Sequence, residues 1–196
     1  MMFVIRLNLD NQTLMELQKL TGTVCYNFLG FNLDLEKGEI KDKLGSGADK
    51  NFSEWTTQLL STLLTHYSMA KQTPLTGNFV KYRDIPGGYA YEGAFQKRAV
   101  QPIALTFSQE PENLPKAAQI LGGIQRSIGD ASAEINALAG IPLTFILWIA
   151  EDLPPSAAIL YDSSASNYLP TEDLAVLGEL TTLRLIEAKK VLGKTI

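Results

Sequence analysis

The chain has one histidine, His66, in the run LLTHY, and any Ser-His-Asp or Cys-His chemistry would have to use it. Beside Tyr67 and close in helical spacing to Trp55 and Leu59, its imidazole suits an axial ligand or a proton carrier. The ordinary alternative is a partly buried, hydrogen-bonded histidine. A multi-histidine zinc or iron site is excluded. The second candidate is the stretch Tyr82-Arg83-Asp84-Ile85-Pro86-Gly87-Gly88-Tyr89-Ala90-Tyr91, followed by Arg98. Gly87 and Gly88 would let backbone N–H groups approach a ligand, Tyr91 could stack on a planar one, and Arg83 and Arg98 could hold carboxylates or phosphates. A tight Pro-Gly turn with tyrosines packed on the core explains the same residues. Third, Gly122-Gly123 and Gly129-Asp130 flank Arg126, a loop that could aim the Asp130 carboxylate at a ligand; a helix stop followed by a turn accounts for it equally well.

Other motifs carry less. No GxGxxG or GxxxxGK[ST] spacing and no GxSxG elbow is present, and Cys25 has no local basic neighbour to activate it. Glu151 and Asp152 are adjacent at a strand end, so in extended geometry they point to opposite faces. Asp162 or Ser163 can begin a helical turn. Thr171 can cap a final helix, with Glu172 and Asp173 favouring its dipole.

These residues need elements to position them. Residues 3–9 predict a short strand, and residues 10–20 a helix with Asp10 as N-cap and Gly22 as stop. Residues 23–30 and 31–40 are β-rich runs, the second with a hairpin-like turn at Lys37-Gly38; Asp42 to Lys50 predicts a loop. The clearest helix covers 51–71, capped by Asn51 or Ser53, with Phe52, Trp55, Leu59, Leu63, His66, Tyr67 and Ala70 on one arc opposite Ser53, Thr57, Ser61, Thr65 and Ser68. NFVKYRDI (78–85) predicts a strand, and helices are expected over 98–107 and 111–121. The apolar runs 131–138, 142–150 and 156–162 have the spacing of an antiparallel meander, and a helix from about Thr171 to Lys190 closes the chain. Segregated strands and helices predict an α+β fold in which an antiparallel sheet packs with several helices.

With 196 residues, 45% hydrophobic and 19% charged, the chain predicts one globular domain over 1–196 that buries roughly 70% of its unfolded surface. The formal charge of −4 and the lack of a basic stripe argue against nucleic acid. A lone cysteine excludes an internal disulfide. The apolar run Ile141 to Ala150 is about half of what a spanning helix needs, and the opening MMFVIRLNLD has no secretion-signal pattern, so no membrane association and a cytoplasmic location are expected.

In order along the chain, LLTHY (63–67), Leu75-Thr76-Gly77, Pro86-Gly87-Gly88 with Tyr91, Phe95 and Arg98, Leu121-Gly122-Gly123, Gly129-Asp130-Ala131, Pro142 with Trp148, Leu160-Tyr161-Asp162 and Tyr168 to Asp173 resemble the uncharacterised prokaryotic family known as domain of unknown function 3786, over about residues 10–185. The resemblance implies a protein of anaerobes, linked to one-carbon or corrinoid metabolism, in a family where some members add a cysteine-rich iron–sulfur segment. This chain, with Cys25 alone, holds no iron–sulfur cluster within itself, and EDLPP after Trp148 departs from the acidic and aromatic pattern expected there. The expected function is a non-catalytic module for a small molecule such as a tetrapyrrole or corrinoid, bound by His66, Tyr67, Arg83, Gly87, Gly88, Tyr91, Arg98 and Asp130 between the 51–71 helix and the 82–98 segment. The alternatives are an accessory protein-interaction subunit of an anaerobic enzyme complex, with Trp148-centred strands or the 111–121 helix as docking face, and an enzyme of unknown reaction using Asp130 or Asp162 with Arg98.

Overall fold

The computed structural model describes residues 4–45 and 50–193, and for residues 50–53 it describes backbone alone. Two antiparallel sheets and the helices share one core, the α+β arrangement that the segregated patterns predict. The first sheet has the order β1-β4-β3-β2, from β1 (Val4–Arg6), β2 (Cys25–Phe28), β3 (Phe31–Asp34) and β4 (Glu39–Asp42). Helix α1 (Asn11–Thr21) starts where the Asp10 carboxylate accepts the Thr13 N–H at 2.7 Å and ends at left-handed Gly22, both as expected. The β2–β3 hairpin turns on Leu29-Gly30, both at positive φ (48° and 75°). That turn lacks the Asn-Gly or Asp-Gly signal, since its leucine is there to be buried.

The second sheet runs β5-β9-β8-β7-β6, from β5 (Phe79–Lys81), β6 (Ile124–Arg126), β7 (Ala131–Leu138), β8 (Ile141–Trp148) and β9 (Ser156–Asp162). Its centre is the expected meander. The strand predicted over 78–85 stops at Lys81, because Tyr82 turns inward to stack on Phe95 at 4.4 Å between centroids and residues 82–84 form a 3-10 turn. The helix expected from Arg98 starts earlier: α3 (Glu92–Phe95) passes through a π turn (Gln96–Val100) into α4 (Gln101–Phe107). Helices α5 (Asn113–Ile120) and α6 (Thr171–Leu192) follow.

Helix α2 (Lys50–Ser68) forms where predicted, but its buried face is rotated. Leu63 and Tyr67 of the expected arc are buried, but so are Thr56, Leu60, Ser61, Leu64 and Ser68, while Trp55 is half exposed. The serines face inward because α2 packs closely against the first sheet and α1: the Ser61 hydroxyl donates to the Thr57 carbonyl and accepts the Asn8 N–H at 3.0 Å. The expected caps Asn51 and Ser53, and residues 46–49 of the expected loop, lie outside the described side chains or residues.

Asp162, expected to begin a helical turn, does so and more. Buried at the end of β9, its carboxylate accepts N–H groups from Ser164, Thr76 and Gly77 and the Thr76 hydroxyl. Burial alone would raise its pKa, but these hydrogen bonds outweigh it and hold the carboxyl well below the usual range. A depressed folded pKa means the contribution is complete above the unfolded value, near ~4, and is lost as pH falls through the lower folded value. Asp162→Ala should therefore cost about 3 kcal/mol at neutral pH, and the gap to wild type should narrow below roughly pH 4. Urea unfolding at neutral and acid pH checks this, and a gap independent of pH would refute it.

Candidate functional site

The last turn of α2 meets the first turn of α6, and there His66 finds its partner. His66 Nδ1 lies 2.5 Å from Asp173 Oδ2, with 40% of the histidine side chain and 13% of the aspartate exposed. The pairing places the Asp173 carboxylate at the N-terminus of α6, where an anion is favoured. A carboxylate on Nδ1 sets the tautomer with the proton there, which leaves Nε2 with its lone pair. No described residue hydrogen-bonds Nε2. Asp173 also lines a groove of about 260 Å³, together with Trp55, Leu59, Leu63, Val176 and the polar Gln58 and Thr62.

The Pro86-Gly87-Gly88 turn reaches the same end of α6 from the other side. Thr171, expected as a helix cap, makes no side-chain cap; its hydroxyl donates to the Pro86 carbonyl at 2.7 Å, and the Tyr82 hydroxyl donates to the Thr171 carbonyl at 3.3 Å. Burial pushes the Tyr82 phenol up, with the carboxylates of Glu172, Glu92 and Glu179 adding to the effect.

The structure divides the remaining expected site. Arg83 lies against a different cavity, of about 160 Å³, together with Glu92, Gln96 and β9 residues that include Ala158, and this cavity shares no lining residue with the groove. The Arg83 guanidinium also sits over the Tyr89 ring at 5.7 Å. Arg98 extends along α6 to Glu179 at 3.8 Å; burial raises the Glu179 pKa and the Arg98 charge opposes that rise. Tyr67 turns away from the groove: it is buried, its hydroxyl donates to the Ala139 carbonyl at 2.7 Å, and burial with the neighbouring Tyr26 and Tyr168 pushes its pKa up. Tyr91 is half exposed. Asp130 accepts the Ile149 N–H at 2.6 Å and so ties the end of β8 to the β6–β7 connection. Gly87 is left-handed, and Gly88 lies against the Tyr82 carbonyl, so each has a backbone reason to be glycine.

Sequence reasoning took Asp173 for a helix-dipole residue and did not consider Glu92 or Gln96. The one signal for Asp173 was the presence of both LLTHY and the 168–173 run in the same ordered pattern. Among the described residues no group of three or more His, Cys, Asp or Glu could hold a metal ion, and no helix is long and apolar enough to cross a membrane.

The family model described as Domain of unknown function (DUF3786) matches residues 11–184. Comparison with curated proteins and with solved structures gives no match.

Proposed function

The chain belongs to the DUF3786 family, and from the geometry of its α2–α6 groove we propose that it is a non-catalytic binding module for a planar cofactor of tetrapyrrole or corrinoid type. One observation carries the proposal: His66 is held through Nδ1 by Asp173, with no hydrogen-bond partner on Nε2 among the described residues, and Asp173 itself lines an apolar groove. Metal-ligating histidines are oriented in this way, by a carboxylate on the other ring nitrogen that also raises their basicity. His66 would supply the single protein ligand, Asp173 would fix its ring, and Trp55 with Val176 would cover an edge of the macrocycle. Such a cofactor would supply a Lewis-acidic or redox-active metal. The groove is smaller than the ~300–1,000 Å³ of sites that enclose drug-sized ligands, so most of the ring would stay outside, as suits a carrier that passes its ligand on. A role in anaerobic metabolism is part of the same proposal. A catalytic role has less support, because no described hydroxyl or thiol hydrogen-bonds the His66 ring.

The test is anaerobic purification from a host supplied with haem and corrinoid precursors, followed by titration with haem and with aquocobalamin. Saturable binding is expected, lost in His66→Ala and weakened about 10- to 100-fold in Asp173→Asn. A colourless protein, or a His66→Ala variant that binds like wild type, would refute the reading.

A second reading, an accessory subunit, draws on one surface. Trp148, Ile149, Leu153 and Ile128 are exposed at one end of the second sheet, where Gly129 packs beside the Trp148 ring and Asp130 holds Ile149. Native mass in the same preparation decides it: a mass above 21.5 kDa that falls in Ile149→Asp supports docking there, and a monomer opposes it.

A further inference from the structure

We propose a second binding site, independent of the His66 groove, for a small zwitterion of the α-amino-acid class, in the cavity between residues 81–83, α3 with its π turn, and β9. The carboxylate of Glu92 lines this cavity. Its Oε1 accepts the Gln96 side-chain amide at 2.7 Å, whereas Oε2 is buried and has no hydrogen-bond partner among the described residues. A buried carboxylate oxygen left unpaired is costly, and since it only accepts, what satisfies it is a donor, best a cationic one. An ammonium group meets that requirement.

The opposite charge is present in the same lining. Lys81 makes no ion pair among the described residues, and Arg83 meets the Asp84 carboxylate at a loose 3.9 Å; both line the cavity. A cavity lined both by a carboxylate side chain with an unpaired oxygen and by two cationic side chains is complementary to a molecule carrying an ammonium and a carboxylate together.

Two features of the fold make the room. Strand β5 pairs with β9 at Leu160, Tyr161 and Asp162, so among the described residues no strand pairs with the β9 edge at Ala157 to Ile159 on that side, and its backbone can bond a ligand. The small side chain of Ala157, on the face of β9 that also carries Ile159 and Tyr161, leaves the space open. The π turn brings both Gln96 and Val100 onto the wall, and such wide turns inside α-helices are frequent at functional sites. At about 160 Å³ the cavity admits a compact metabolite and excludes a nucleotide or a macrocycle.

Titration by calorimetry and amide NMR shifts with each standard L-amino acid, and with acetate and ethylamine as the two halves of the ligand, tests the assignment. At least one amino acid should saturate the site at millimolar concentration or below and bind about tenfold or more tightly than either half. Glu92→Gln, which keeps an amide oxygen facing Gln96, should weaken it by about tenfold or more, Ala157→Leu should block it, and His66→Ala should leave it unchanged. No saturable amino acid, ethylamine binding as tightly as the amino acids, or wild-type affinity in Glu92→Gln and Ala157→Leu would each overturn the proposal. Loss in His66→Ala would place any binding in the α2–α6 groove instead.

Discussion

Replacing Arg184 with Met should cost about 3–5 kcal/mol, a large part of the ~5–15 kcal/mol that holds a domain folded. Arg184 lies on α6 with no exposed side-chain surface. Its Nη2 and Nη1 reach the Asp42 carboxylate at 2.6 and 3.3 Å, Nη1 also meets Glu187 at 2.6 Å, and Nε donates to the Leu29 carbonyl at 2.8 Å. The guanidinium lies over Phe31 at 4.0 Å. One side chain thus joins the final helix to β3, β4 and the strained Leu29-Gly30 turn. Methionine fills much of the volume but removes the cation that two nearly buried carboxylates share, and losing the counter-charge of a buried pair is what makes such a loss large. At roughly 2–4 °C per kcal/mol for a chain of this size, Tm should fall by about 6–20 °C. Adding Asp42→Asn and Glu187→Gln should recover part of the loss. A drop below about 1 kcal/mol in urea unfolding would mean that water reaches the carboxylates, as at surface pairs.

Arg184 also shows where sequence reasoning stops. The last helix was legible from its acidic start and basic end, and its central arginine fits a solvated face as readily as a core. Its burial follows from partners more than 140 residues away in sequence, at Leu29 and Asp42, which no local period encodes. The meander was legible because its strands are apolar runs separated by turn residues. The α2 face was misplaced by a small rotation because its serines are buried against α1 and the first sheet, where small polar side chains allow close approach and bond their own backbone. Among the site residues, His66 could be singled out because it is the sole histidine. Its partner could not, since an Asp in the first turn of a helix already has a sufficient local reason to be there.

Gly88→Ala should be the second most damaging change, and it bears on why the Pro86-Gly87-Gly88 turn exists. A Cβ at Gly88 would stand 2.0 Å from the Tyr82 carbonyl oxygen and 3.0 Å from its carbon, so backbone must move, and a loss of about 3 kcal/mol or more is expected. Gly87 has φ +84° with open space around its would-be Cβ, so Gly87→Ala should cost only the left-handed penalty of about 1–2 kcal/mol. The order of the two losses separates steric contact from backbone conformation. The larger one should also reach the groove, because Pro86 accepts the Thr171 hydroxyl and so anchors the turn of α6 that carries Asp173. Gly88→Ala should therefore weaken any ligand bound at His66 by about as much as Asp173→Asn does, while Gly87→Ala leaves that binding close to wild type. If instead both variants melt like wild type and both lose binding, the two glycines serve the ligand directly through their backbone N–H groups, and the turn belongs to the site rather than to its support.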